Sequence, residues 1–176
     1  LYYRVNRDLA LEVADKAKAE GVKQFIFMSS MGVYNASKVN FITNYTVPRA
    51  KNAYDNSKLQ ADLHLQKLNS NFFKVVIIRP PMIFGPGCKG NFNKLVRIVY
   101  KFNFFPKFKN ARSMLYIDNL CEFVRLVIIS EKNGVYFPQN ENYYSTSEVV
   151  KLIADAANKK MHFTIFGNWL IYCLMP

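Results

Sequence analysis

Tyr54 and Lys58 stand one helical turn apart in the stretch AYDNSKLQAD. A phenol is a poor base near neutrality because its ordinary pKa is about 10. An ammonium on the same helix face, at i, i+4, favours the phenolate and donates hydrogen bonds to it, which would make the pair an acid/base couple. The same spacing describes two exposed side chains with no chemistry, and the pair alone does not separate these readings. Ser30 adds a third group. It closes the apolar run FIFMSS, at the carboxyl end of a strand where open parallel sheets place ligand-binding groups. There its hydroxyl could share a hydrogen bond with a substrate hydroxyl that Tyr54 deprotonates, or it could simply cap a loop.

These residues need elements to position them. Leu9, Val13 and Ala17 at helical spacing, closed by Gly21, predict a helix over residues 5–20. KQFIFMSS reads as a buried strand that opens onto a polar loop over 35–50. Leu59, Leu63 and Leu65 among polar residues predict a helix over 53–68, which carries Tyr54 and Lys58. FKVVIIRP is a second buried strand, ended by Pro80 and Pro81. Strand, helix, strand with a crossover of this length is a parallel βαβ unit, so the fold class is α/β. Further helices are predicted over 91–100, over 118–129 with Asp118 as N-cap, and from Ser147, where STSE has the form of a capping box. Short strands are predicted at SMLYI and GVYF, and the glycines at 85 and 87 mark a turn.

In combination these features resemble the extended short-chain dehydrogenase/reductase family, in its NAD-dependent, sugar-nucleotide epimerase/dehydratase branch. The segments that carry the resemblance are VNRDLALEVADKAKAEGVKQFIFMSSMGVYN, YDNSKLQAD, IRPPMIFGPG and RSMLYIDNL, in family order between residues 5 and 158. The resemblance implies a partial Rossmann-like, doubly wound parallel sheet with a small α/β substrate-binding part. It implies a single domain fragment over 1–176, in which residues 1–85 are the remainder of the nucleotide-binding half and 86–176 a mixed substrate-binding portion. NAD is the implied cofactor, and a nucleotide-activated sugar the implied substrate.

By the same resemblance Tyr54 is the acid/base, Lys58 binds the nicotinamide ribose and tunes the phenol, and Ser30 orients the reacting sugar hydroxyl. Pro80 and Pro81 would border the nicotinamide. Arg112 takes the place of an arginine that contacts the substrate diphosphate, and Asn91 that of a residue touching the nucleotide. Met82 stands where some hexose epimerases carry a substrate-contacting asparagine, a departure that weakens any claim to one particular sugar. The family's phosphate loop, GxxGxxG after a first strand, is not found in these residues, and the sequence opens without Met. The expectation is therefore the later part of a longer chain. The alternative function is a non-catalytic relative that binds NAD(P) or a nucleotide for a regulatory or structural purpose.

Composition narrows the partners. Hydrophobic residues at 51% and aromatics at 15% fit a folded globular chain of 176 residues. The net charge of +12 raises nucleic acid as a partner, and KFNFFPKFKNAR interleaves bases with aromatics as a single-strand groove would. Elsewhere the bases are scattered, as on a solvated face or around a small diphosphate ligand, so no nucleic-acid partner is expected. Cys88, Cys121 and Cys173 have neither disulfide nor zinc spacing, and no signal peptide is visible, which points to the cytoplasm. The apolar end HFTIFGNWLIYCLMP is shorter than the roughly 20 residues that span a bilayer, so a buried terminal element and no membrane partner are expected. His64 and His162, single and far apart, are expected to face solvent. Helices such as 53–68 form dimer interfaces in similar proteins, which leaves a homodimer open.

Overall fold

The computed structural model describes residues 1–35, 39 and 41–164. Two compact units divide the chain, Leu1–Pro81 with Asn119–Pro138, and Met82–Asp118 with Gln139–Pro176.

In the first unit a π-helical turn, Arg4–Asp8, leads into helix α1, Leu9–Ala19. Gly21, at φ +74°, ends it in a Schellman arrangement: Val22 N–H reaches back to the Ala17 carbonyl and Gly21 N–H to that of Lys18. Strand β1, Gln24–Met28, follows, then a 3₁₀ turn, Met31–Tyr34, capped by Ser30. Helix α2, Ala53–Lys67, crosses over to strand β2, Lys74–Ile78. The two strands pair in parallel, Gln24 beside Lys74 through Met28 beside Ile78, as a βαβ crossover requires.

Phe27, Val75 and Ile77 on one sheet face pack with Ala14 of α1 and with Ala61, Leu65 and Phe73. Val76 and Ile78, on the other face, are also fully buried. Two buried faces explain why β2 is a continuous apolar run rather than an alternating one.

The second unit begins with β3, Met82–Phe84, and α3, Asn91–Lys101, followed by β4, Phe104–Pro106, and β5, Met114–Tyr116. Helix α4, Ile117–Ser130, returns the chain to the first unit, where β6, Gly134–Tyr136, completes a parallel sheet in the order β1-β2-β6. Asp118 thus lies inside the first turn of α4 rather than capping it. The remaining elements, α5 (Thr146–Ala156) and β7 (His162–Thr164), belong to the second unit. There β3 pairs with β5 and β4 with β7, both in parallel, and Leu95, Val99, Phe105, Met114, Val149 and Val150 form the core. The capping box expected at STSE is present, with Ser145 and Glu148 bonding each other's backbone, although the helix starts one residue earlier than predicted.

The α/β class is as expected, and every named strand pair is parallel. The three-residue strands β3, β4 and β7 were not expected. Phe105 is buried, and Phe108 packs against the same core. These two aromatics of the basic stretch are therefore core residues rather than stacking platforms. Both histidines are exposed. Cys173 and residues 165–176, on which the expected terminal element falls, lie outside the described residues.

Candidate active site

Asn52 caps α2 by accepting a hydrogen bond from Asp55 N–H, and the first turn of this helix presents Tyr54. One turn on, Lys58 points to the end of β1. Its Nζ donates to the Met28 carbonyl at 3.0 Å and lies 4.8 Å from the Phe27 ring centre. Met28 is two residues before Ser30, whose Oγ accepts from Gly32 N–H at 3.0 Å and so caps the turn. The Pro80 carbonyl accepts from Met31 N–H, which brings the end of β2 to the same turn, with Pro81 half-buried after it. Ser30, Lys58 and Pro80 are thus gathered at the carboxyl ends of parallel strands, where such sheets bind ligands.

Tyr54 is less committed. It is 40% exposed, and its ring meets that of Tyr2 edge-on with centres 5.6 Å apart. Among the described residues no hydrogen bond joins it to Lys58 or to Ser30. The expected lowering of its pKa is overturned: burial, then the negative charge of neighbouring Asp55, then Tyr2, all raise it. Lys58 does not oppose them because its ammonium is turned to the Met28 carbonyl, and burial lowers its own pKa. Tyr34 is raised as well, chiefly by burial.

A titration checks these directions. Alkaline difference absorbance should show tyrosines ionising above the ordinary value of about 10, with one such late component missing in Tyr54→Phe. A raised folded-state pKa means that Tyr54's share of stability is complete below the ordinary value. That share is lost as pH rises through the folded one.

Beneath the site lies a buried ionic cluster that sequence reading missed. Arg79 donates from Nε and Nη2 to the two carboxylate oxygens of Asp62, both at 2.8 Å, and from Nη1 to the Tyr34 hydroxyl. Ser29 Oγ also donates to Asp62, at 2.8 Å, and so does Gln66, at 2.6 Å. The only advance signal was the pair of charges themselves, Asp62 one turn after Lys58 and Arg79 ending an apolar strand. A cleft of about 300 Å³ opens beside this cluster, lined among others by Tyr34, Thr46, Leu63, Gln66, Arg79 and Phe137. It includes neither Ser30, Tyr54 nor Lys58.

The other expected site residues, Met82, Asn91 and Arg112, belong to the second unit. Met82 opens β3 opposite Met114, and Asn91 is the exposed first residue of α3. Arg112 is exposed, bridges Tyr144 through its backbone, and forms no salt bridge among the described residues. Gly85, Gly87 and Gly90 sit between β3 and α3 with GxGxxG spacing. Only a three-residue strand precedes them, and Asn93 Nδ2 turns back onto the Cys88 carbonyl. No group of three or more metal-ligating side chains occurs among the described residues.

A parallel sheet with polar groups gathered at its strand ends is the α/β architecture on which dinucleotides bind. Residues 1–137 match the NAD dependent epimerase/dehydratase family, and the chain belongs to it. It is 34% identical over 167 residues to UDP-glucose 4-epimerase of Vibrio cholerae, covering 90% of this chain and 51% of that protein. It is 30% identical to N-acetyl-alpha-D-glucosaminyl-diphospho-ditrans,octacis-undecaprenol 4-epimerase of Escherichia coli O157:H7, covering 92% and 50%. The chain thus spans about half the length of these curated relatives. Among solved structures, UDP-glucose 4-epimerase of Thermus thermophilus in complex with NAD shares the fold, with a TM-score of 0.76 at 21% identity. That match covers 92% of this chain and 57% of that one.

Proposed function

We propose that the protein is an NAD-dependent epimerase or dehydratase of a nucleotide-activated sugar, with Tyr54 as its acid/base. The observation that carries this reading is the delivery of Lys58 by α2 to the end of β1, two residues from the Ser30 turn. The residues present fit part of the cofactor. The Lys58 ammonium spends one proton on the Met28 carbonyl and has two more for ribose hydroxyls, while Pro80 and Pro81 offer an apolar border. When bound, NAD supplies the hydride acceptor and, in its oxidised form, a positive charge. In this reading Ser30 holds the sugar hydroxyl and Tyr54 takes its proton. Met82, Asn91 and Arg112 bind the substrate, with the Arg112 guanidinium suited to a diphosphate.

The test is turnover of UDP-sugars by the whole protein, followed together with cofactor reduction. A second reading, a non-catalytic relative that binds NAD(P) or a nucleotide, is favoured by one observation, the raised pKa of a phenol unlinked to Lys58. Binding without turnover of any sugar nucleotide selects it.

A cytoplasmic homodimer completes the proposal. No described helix is long and apolar enough to cross a membrane. Val5, Leu9 and Val13 form an exposed apolar stripe along the N-terminal helical segment, a face a second copy could cover. Light scattering of the whole protein should then give twice the monomer mass, and Leu9→Glu should halve it. A monomeric wild type at micromolar concentration removes the dimer.

A further inference from the structure

Asp55 is an acidic residue with almost no access to water, 3% exposed, directly after the tyrosine of the site. A buried carboxylate is costly unless hydrogen bonds surround it. Two side-chain amides do so here: Asn52 Nδ2 donates to Oδ2 at 2.8 Å from the cap of α2, and Asn35 Nδ2 to the same oxygen at 2.7 Å. Asn52 alone would make Asp55 an ordinary participant in helix capping. Asn35 is different, because it ends the 3₁₀ turn that Ser30 opens and lies on another element.

Gly32, in the middle of that turn, makes the approach possible. A Cβ on it would stand 2.1 Å from Asp55 Oδ1 and 3.2 Å from Ser30 Oγ. No side chain fits there, so the carboxylate rests against bare backbone. The Gly32 amide meanwhile donates to Ser30 Oγ at 3.0 Å and so holds the serine hydroxyl.

We propose that Asp55 is a positioning residue of the site: its carboxylate clamps the Ser30 turn onto the first turn of α2, holding Ser30 in register with Tyr54, and Gly32 is the position that admits it. The proposal rests on the acid/base reading above for its catalytic consequence, but not for the clamp itself. Misplacement of a reacting group by about 1 Å costs on the order of 10²-fold in rate. Asp55→Ala should therefore lower kcat by about 10- to 100-fold with KM little changed. Asp55→Asn should restore most of the rate, since its one carbonyl oxygen accepts from both asparagines. Gly32→Ala, whose Cβ would displace the carboxylate without removing it, should behave as Asp55→Ala, and it carries the test if Asp55→Ala fails to fold.

Hydrogen exchange of the whole protein, read by mass spectrometry on the peptide spanning Ser30 to Asn35, gives a measure independent of turnover. In Asp55→Ala and Gly32→Ala that peptide should exchange at least about tenfold faster, the mark of local opening, with the Lys74–Ile78 strand unchanged. Unchanged exchange overturns the clamp whatever the enzyme does. Wild-type kcat in Asp55→Ala beside an inactive Tyr54→Phe overturns the positioning role. Full turnover in Tyr54→Phe condemns the acid/base reading instead, and the exchange result then decides the clamp.

Discussion

Tyr54→Phe is expected to lower turnover of the whole protein by about 10²–10⁴-fold, the range that general acid/base groups contribute. The substitution removes only the phenolic hydroxyl. The Phe ring keeps the edge-on contact with Tyr2, and the site is 40% exposed, so stability should move by no more than about 0.5 kcal/mol. Nucleotide binding should be largely intact because Lys58, which is turned to the Met28 carbonyl, takes no support from the phenol. Loss of kcat without loss of binding is therefore the expected pattern, measured by steady-state turnover beside calorimetric titration of nucleotide. Equal turnover in the two proteins would refute the assignment of Tyr54. Loss of both activity and binding would mean that the hydroxyl serves nucleotide binding as well as proton transfer.

The largest effect on stability is expected from Asp62→Ala. Asp62 is fully buried, and its partner Arg79 is nearly so. Removing the carboxylate strands a guanidinium in the interior and also deprives Ser29 and Gln66 of an acceptor. Breaking a buried pair from one side costs about 3–5 kcal/mol, against a total domain stability of about 5–15 kcal/mol. With an m-value of about 2 kcal/mol/M, the urea midpoint should fall by roughly 1.5–2.5 M.

Burial lowers the Arg79 pKa, but the bonds and charge of Asp62 outweigh it and raise the value overall; an arginine keeps its charge with or without a partner. The double variant Asp62→Ala/Arg79→Met should accordingly be more stable than Asp62→Ala alone, since it leaves no orphan charge. A fall of less than about 1 kcal/mol in Asp62→Ala would show that water reaches the guanidinium and that the cluster does not hold the sheet ends to α2.

The sequence alone determined the elements with strong local signals. Leu59, Leu65 and their polar neighbours define α2; KVVII defines β2; Gly21 ends α1; and the serine and glutamate of STSE start α5. Each of these is set by neighbours within a few residues, through hydrogen-bond geometry or the repeat of apolar positions. The motif segments likewise led to the family that residues 1–137 match. Strands β5 and β6, of three residues each, were found. By contrast, β3 follows Pro81 and β4 ends at Pro106, a residue that signals a turn rather than a strand. Strand β7 opens the apolar segment read as one terminal element. Asp118 was misplaced because a helix boundary shifts by a residue or two for reasons no single side chain declares.

What the tertiary structure decided is where the charges go. Spacing put Tyr54 and Lys58 on one helix and left the ammonium's partner open; the partner is the Met28 carbonyl, contributed by β1. The phenol's pKa rises rather than falls because burial and the nearby Asp55 carboxylate act on it while Lys58 is turned away. Asp62 with Arg79, and Asp55 with Asn35 and Gly32, meet only once β1, α2 and β2 have assembled. Desolvation and Coulomb forces depend on distance in space, and residues far apart in the chain acquire those distances only through folding.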